Sequence, residues 1–126
     1  MRGMAGFDVA GWLAGFVRAR RGLRAGRMFG APAAYAGRRM FACAYEDGVI
    51  CKLPTDLLRD QITKGRAAPF EARGRTMTGW VMYRPATLAA ARRLEPTLEA
   101  AARFVAETQF STPIPTARPL RSRRPR

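Results

Sequence analysis

The sequence predicts a single α+β domain, an antiparallel β-meander sheet packed with helices, and three observations carry that expectation. Val9, Trp12, Leu13, Phe16 and Val17 recur at the i, i+3, i+4, i+7, i+8 spacing of an amphipathic helix. Between Arg27 and Lys52, short apolar runs alternate with Gly-Ala-Pro, Gly and Glu-Asp-Gly turns, the punctuation of short antiparallel strands. A length of 126 residues suits one domain able to bury its own core without metal or disulfide staples. The expected element order is α-β-β-β-β-α-β-β-α over residues 1–110, with residues 111–126 as a tail.

Asp8 can cap the first helix, and Arg18, Arg20, Arg21 and Arg24 cluster around its end, where cations complement the helix dipole. Gly22 and Gly26 are expected to end that helix. The first strand should then start at Arg27–Gly30, bend at Ala31-Pro32 and continue as a short strand over Ala33–Ala36, with Gly37 turning the chain again. Arg39–Tyr45 and Val49–Leu53 form a hairpin around Glu46-Asp47-Gly48. A three-residue turn with a left-handed Gly48 pairs Tyr45 with Val49, Cys43 with Cys51 and Phe41 with Leu53, all on one face. A two-residue Asp47-Gly48 turn shifts the register by one and sends the cysteines to opposite faces.

Thr55 is the expected N-cap of a second helix carrying Leu57, Leu58 and Ile62, which Gly65 closes. Strands follow at Pro69–Arg73 and Thr76–Tyr83, joined by Gly74-Arg75 and stopped by Pro85. A short helix over Thr87–Leu94 should give way to a new one with Pro96 in its first turn, reaching about Gln109. Leu94, Leu98, Ala101, Ala102 and Val105 form its narrow apolar stripe. From Ser111 onward four prolines, five arginines and no acid predict an extended, disordered tail.

The net charge is +14, of which the tail contributes +5. An excess of this size favours anionic partners. A compositional origin is the alternative, since Arg outnumbers Lys 21 to two and neither His nor Asn occurs, a pattern fitting a GC-rich genome. No run approaches the ~20 apolar residues a membrane span requires. Asp8 interrupts the N-terminal apolar run and no Ala-x-Ala site follows, so the expectation is a cytoplasmic protein without membrane attachment.

Chemistry-bearing constellations are scarce. Without His, the commonest general base and metal ligand is missing, and the only serines, Ser111 and Ser122, lie in the tail. The nine carboxylates form no paired-acid motif. Cys43 and Cys51, eight apart, match neither a Cys-x-x-Cys redox motif nor a four-ligand zinc pattern, and read as small buried hydrophobes. Arg39–Tyr45 partly mimics the RNA-binding strand of RRM domains, but Met40 and Cys43 occupy positions where that motif wants Gly and an aromatic. No Gly-rich phosphate loop is present. The expectation is a non-enzyme with no catalytic residue, no cofactor and no metal.

Arg27-Met28-Phe29-Gly30, Tyr35-Ala36-Gly37, Met40-Phe41-Ala42, Lys52, Ala68-Pro69-Phe70 and Met82-Tyr83-Arg84-Pro85 together resemble the N-terminal domain of the TfoX/Sxy family, named after a regulator of bacterial natural competence. The likeness spans roughly Phe7 to Thr108. It implies an α+β fold of the secretion-chaperone-like kind and a regulatory or adaptor role through contact with a protein partner. The family's competence regulators carry a second, C-terminal domain where this chain has sixteen tail residues, so a stand-alone N-terminal-like protein is expected. The alternative is a small nucleic-acid-associated protein that neutralises phosphates non-specifically through Arg118, Arg121, Arg123, Arg124 and Arg126, with Arg18, Arg20, Arg21 and Arg24 as further contacts. An exposed edge strand could also pair with a second copy.

Overall fold

A computed structural model of the chain describes residues 7–28 and 30–111. Three helices pack on one side of a six-stranded antiparallel sheet, in the expected order α-β-β-β-β-α-β-β-α. The elements are α1 (Val9–Arg18), β1 (Leu23–Met28), β2 (Ala31–Ala36), β3 (Arg39–Tyr45), β4 (Gly48–Lys52), α2 (Thr55–Thr63), β5 (Ala68–Ala72), β6 (Arg75–Tyr83) and α3 (Leu88–Ser111). Across the sheet the strands run β1-β2-β3-β4-β6-β5, so β6 inserts beside β4 and leaves β1 and β5 as edges. The arginine tail lies outside the described residues.

Helix α1 begins as the sequence requires, with the Asp8 carboxylate accepting the Gly11 amide at 2.9 Å. Val9, Leu13, Phe16 and Val17 are its buried stripe. The helix ends at Arg18, and Gly22, at φ +84°, reverses the chain into β1. That strand starts four residues before the expected Arg27. Its burial pattern is poor, because an edge strand rich in Arg and Gly carries no alternation; pairing with β2 creates it. Gly26 is therefore a strand residue and not a helix terminator. A Cβ there would meet the Tyr35 ring at 2.5 Å, so the missing side chain lets Tyr35 lie over the strand.

The β3–β4 hairpin corrects the favoured register. Tyr45 pairs with Gly48, Cys43 with Ile50 and Ala42 with Cys51, around a two-residue Glu46-Asp47 loop. Glu46 takes the left-handed conformation (φ +54°) while Gly48 is an ordinary strand residue. Gly48 is demanded by crowding: a Cβ would lie 2.5 Å from the Tyr83 carbonyl oxygen and 2.6 Å from the Met82 methyl. Strand β3 also carries a bulge. Ala34 pairs with Ala42 but Tyr35 with Met40, so Phe41 is the extra residue. The bulge turns Phe41 to the helix side next to Ala42 while Met40 stays on the opposite side.

Helix α2 starts one residue after its cap, Pro54, with Thr55 already helical, and ends at left-handed Gly65 (φ +73°). Strands β5 and β6 meet at Arg73-Gly74, both left-handed at φ +55° and +76°. The expected break before Pro96 does not occur. Helix α3 is continuous, with the Thr87 hydroxyl capping the Ala90 amide at 3.1 Å and Pro96 inside it. The lost backbone bond is offset by tertiary ties on both sides of the proline. Glu95 accepts from Trp12 and Glu99 accepts from Arg20, while Ala91, Leu98, Ala101, Ala102 and Val105 are buried against the sheet.

One large cluster fills the space between helices and sheet, with Leu13, Phe16, Phe41, Val49, Leu53, Val81 and Leu98 at its centre. Tyr83 crosses it, donating its hydroxyl to Gln61 Oε1 at 2.7 Å and so satisfying the buried glutamine of α2. A second cluster lies on the other face, built from strand residues alone: Ala33, Cys43, Ile50, Phe70 and Met82, flanked by Tyr35, Met40, Tyr45, Ala72 and Trp80.

Candidate functional site

The four helix-end arginines separate into different roles once placed. Arg20 is committed within the fold. Its Nε and Nη2 reach Glu99 Oε2 at 2.9 and 2.8 Å, its Nη2 approaches Glu95 Oε1 at 3.6 Å, and its guanidinium lies 3.8 Å from the Phe16 ring centroid. Together with the Trp12 indole N–H donating to Glu95 at 2.9 Å, it ties α1 to α3. Arg24 stands on β1, where its Nε and Nη2 donate to the Gly37 carbonyl at 3.3 and 2.9 Å and its guanidinium sits 5.1 Å from the Tyr35 ring. Arg18 and Arg21 are exposed at the end of α1. Arg118, Arg121, Arg123, Arg124 and Arg126 lie outside the described residues.

The topology concentrates charge in a way the overall sum conceals. Residues 9–45 contain seven arginines and no acid. They build α1, β1, β2 and β3, so the β1 end of the sheet is strongly electropositive. Apart from Asp8, which caps the start of α1, the carboxylates belong elsewhere: the β3–β4 turn, α2, β5 and α3. Two of them, Glu95 and Glu99, come back to Arg20. On β1 itself Arg24 and Arg27 are exposed, and Arg27 Nη2 donates to the Gly30 carbonyl at 2.9 Å. Neutral carbonyls hold both guanidinium groups in place without cancelling their charge.

Beside the start of β1 a largely apolar groove of about 370 Å³ opens between the sheet and α3, lined by Gly22, Leu23, Ala36, Gly37, Ala102 and Ala106, with Arg103 as its one charged residue. The uncovered sheet face is a different surface. A row of neighbouring side chains crosses it from Arg24 through Tyr35 and Met40 to Lys52 and Trp80. Met40, Lys52 and Trp80 also line a small cleft with Phe104 and Thr108 near the end of α3.

The cysteines are separated by the sheet. Cys43 belongs to the strand-only cluster and Cys51 to the helix-side core, and both are free and fully buried. Burial pushes the Cys43 thiol up to about 11 and the Cys51 thiol up to about 12, so both stay protonated and unreactive at neutral pH. Burial likewise drives the Tyr83 phenol upward. Asp60, next to Lys64, is held below the usual carboxylate range by that hydrogen bond. Among the described residues no group of three or more Cys, Asp or Glu is placed to hold a metal ion, and no helix is long and apolar enough to cross a membrane.

Sequence reasoning missed Arg27, the start of β1 and the groove. The acid-free run from 9 to 45 was a readable signal for the first; the groove needed the packing of α3 against β1 and β2. No protein-family model, curated protein or solved structure matches the chain.

Proposed function

We propose that the chain is a non-enzymatic, TfoX N-terminal-domain-like protein of the cytoplasm that acts by contact with another protein, as a regulatory adaptor. The observation that carries this reading is the β1 edge: six residues without a proline, paired among the described residues to β2 alone, in the most electropositive part of the fold. An open edge of that length offers unpaired backbone groups that another polypeptide can complete. The resemblance to TfoX/Sxy proteins and the buried, separated thiols point the same way, toward contact and away from cysteine chemistry. Affinity capture of the full chain from its source cell, after nuclease treatment, tests the reading. A stoichiometric protein partner is the expected result; material that disappears with nuclease overturns it.

One observation favours a second reading, a small basic nucleic-acid-associated protein. The Arg24–Tyr35–Met40–Lys52–Trp80 row mixes cations with half-buried rings on an open sheet face, the combination that serves single strands by stacking and phosphate contact. The tail arginines follow directly from the helix that borders this row. A gel-shift titration against salt, with and without residues 111–126, decides it: binding that is absent even at low salt removes this reading.

A further inference from the structure

We infer that β1 is the docking edge for an extended acidic segment of a partner protein, which joins the sheet as an added strand and seats one apolar side chain in the groove beside Leu23. The inference rests on the protein-contact reading above and specifies its surface and the partner's chemistry.

Three features of this edge converge. First, the two edges of the sheet are unequal. β5 has five residues, contains Pro69 and pairs with an interrupted register, all of which discourage further pairing. β1 has six residues in continuous register from Leu23↔Ala36 to Met28↔Ala31 and has none of these protections. Second, the charge selects the occupant. Arg24 and Arg27 are exposed on opposite faces of the strand, within a run of chain that contains no acid. Third, the groove lies at the Leu23 end, on the helix side of the sheet. A residue opposite Leu23 in an added strand points to that same side.

Pairing rules convert these positions into a pattern. In an antiparallel addition the partner reads acid, two residues, acid, apolar, standing opposite Arg27, Gly26, Ala25, Arg24 and Leu23 in turn. Other occupants fit less well. A nucleic acid satisfies the arginines but cannot complete a strand's backbone groups. A second copy of this chain brings the same acid-free edge: in antiparallel pairing centred between Ala25 and Gly26, Arg24 faces the other copy's Arg27, and like charges directly opposed are destabilising. The chain's own ends supply no acid either, since residues 1–6 and 112–126 contain none.

The test uses the full chain and a fluorescent peptide of about ten residues centred on Glu-Thr-Val-Glu-Leu. Matched forms carry Gln for both Glu, or N-methyl groups on one or the other set of alternate backbone nitrogens. Anisotropy should report binding that weakens at least about tenfold with the Gln peptide and with the Arg24→Glu/Arg27→Glu variant. One N-methyl set should abolish binding and the other leave it intact, because only alternate amides of an added strand face the sheet. Amide exchange across Leu23–Met28 should slow on binding. Absence of peptide binding, or equal binding of both N-methylated forms, overturns the edge assignment. So does displacement of the peptide by a chain dimer. A cellular partner that leaves the peptide in place overturns this inference while the protein-contact reading stands; failure to capture any partner removes both.

Discussion

The two faces of the sheet are built from the same strands, yet they solve different problems. On the helix side eighteen buried residues, mostly from α1, α3 and four of the strands, interlock into one core, with Leu57, Leu58 and Ile62 of α2 packed half-buried against it. On the other side five buried residues are covered, among the described residues, only by neighbouring strand side chains, chiefly Tyr35, Met40, Tyr45 and Trp80, with Tyr45 edge to face on the buried Phe70 at 5.0 Å. The first face holds the fold together; the second is a surface that shields itself. Alternation along β2, β3 and β6 feeds both, and the bulge at Phe41 adds one large ring to the core. Functional potential therefore collects where the helices are not: on the open face and at the β1 edge.

The contrast is tested most severely by paired truncations. Phe41→Ala, in the helix-side core, should cost about 3–5 kcal/mol in chemical denaturation. Trp80→Ala, on the rim of the open face, should cost only about 1–2 kcal/mol, because part of that ring is already in water. Equal losses would show that the open face is as much a core as the other. Gly48→Val comes next. Its branches would strike the Tyr83 carbonyl and Met82 methyl, so a loss of about 1–3 kcal/mol is expected. A tolerated valine would mean that β4 and β6 can part without consequence.

The thiols compare the two faces within one titration. Each has a folded pKa raised above its unfolded value, so the stability each provides is complete below the unfolded pKa and declines as pH rises past it. Denaturation midpoints should therefore fall above about pH 9, by up to about 1.4 kcal/mol per pH unit for each thiol. A native-state thiol assay at pH 7.5 should find both groups silent until the chain is unfolded; rapid labelling of Cys43 alone would show that the open face breathes. The smallest effect belongs to Arg20→Ala, which should lose about 1 kcal/mol, the side chain being partly solvated. No change at all would leave Pro96 without the support proposed for it.

Much of the fold was legible because its signals are local. The 3.6-residue apolar period of α1, the alternation of β3, and Gly65 at the end of α2 each announce their element without help from distant chain. Where the reading failed, the cause lay in long-range contact. β1 has no apolar alternation and exists as a strand through β2, while the continuity of α3 through Pro96 depends on Trp12 and Arg20, some eighty residues away. Of the candidate contacts, the helix-end arginines were visible as charge, but their division into the internal tie of Arg20 and the displayed Arg24 depends on where Glu99 and Gly37 arrive.

By itself the sequence determined the order of the elements, their approximate bounds and the strongly basic balance, since periodicity, caps and composition are properties of neighbouring residues. Tertiary structure alone decided which face each cysteine occupies, because a one-residue difference in the β3–β4 loop inverts the register and nothing local to the turn selects it. It also decided why Gly48 must be glycine and which arginines remain on display, for both depend on chain that arrives from elsewhere in the sequence.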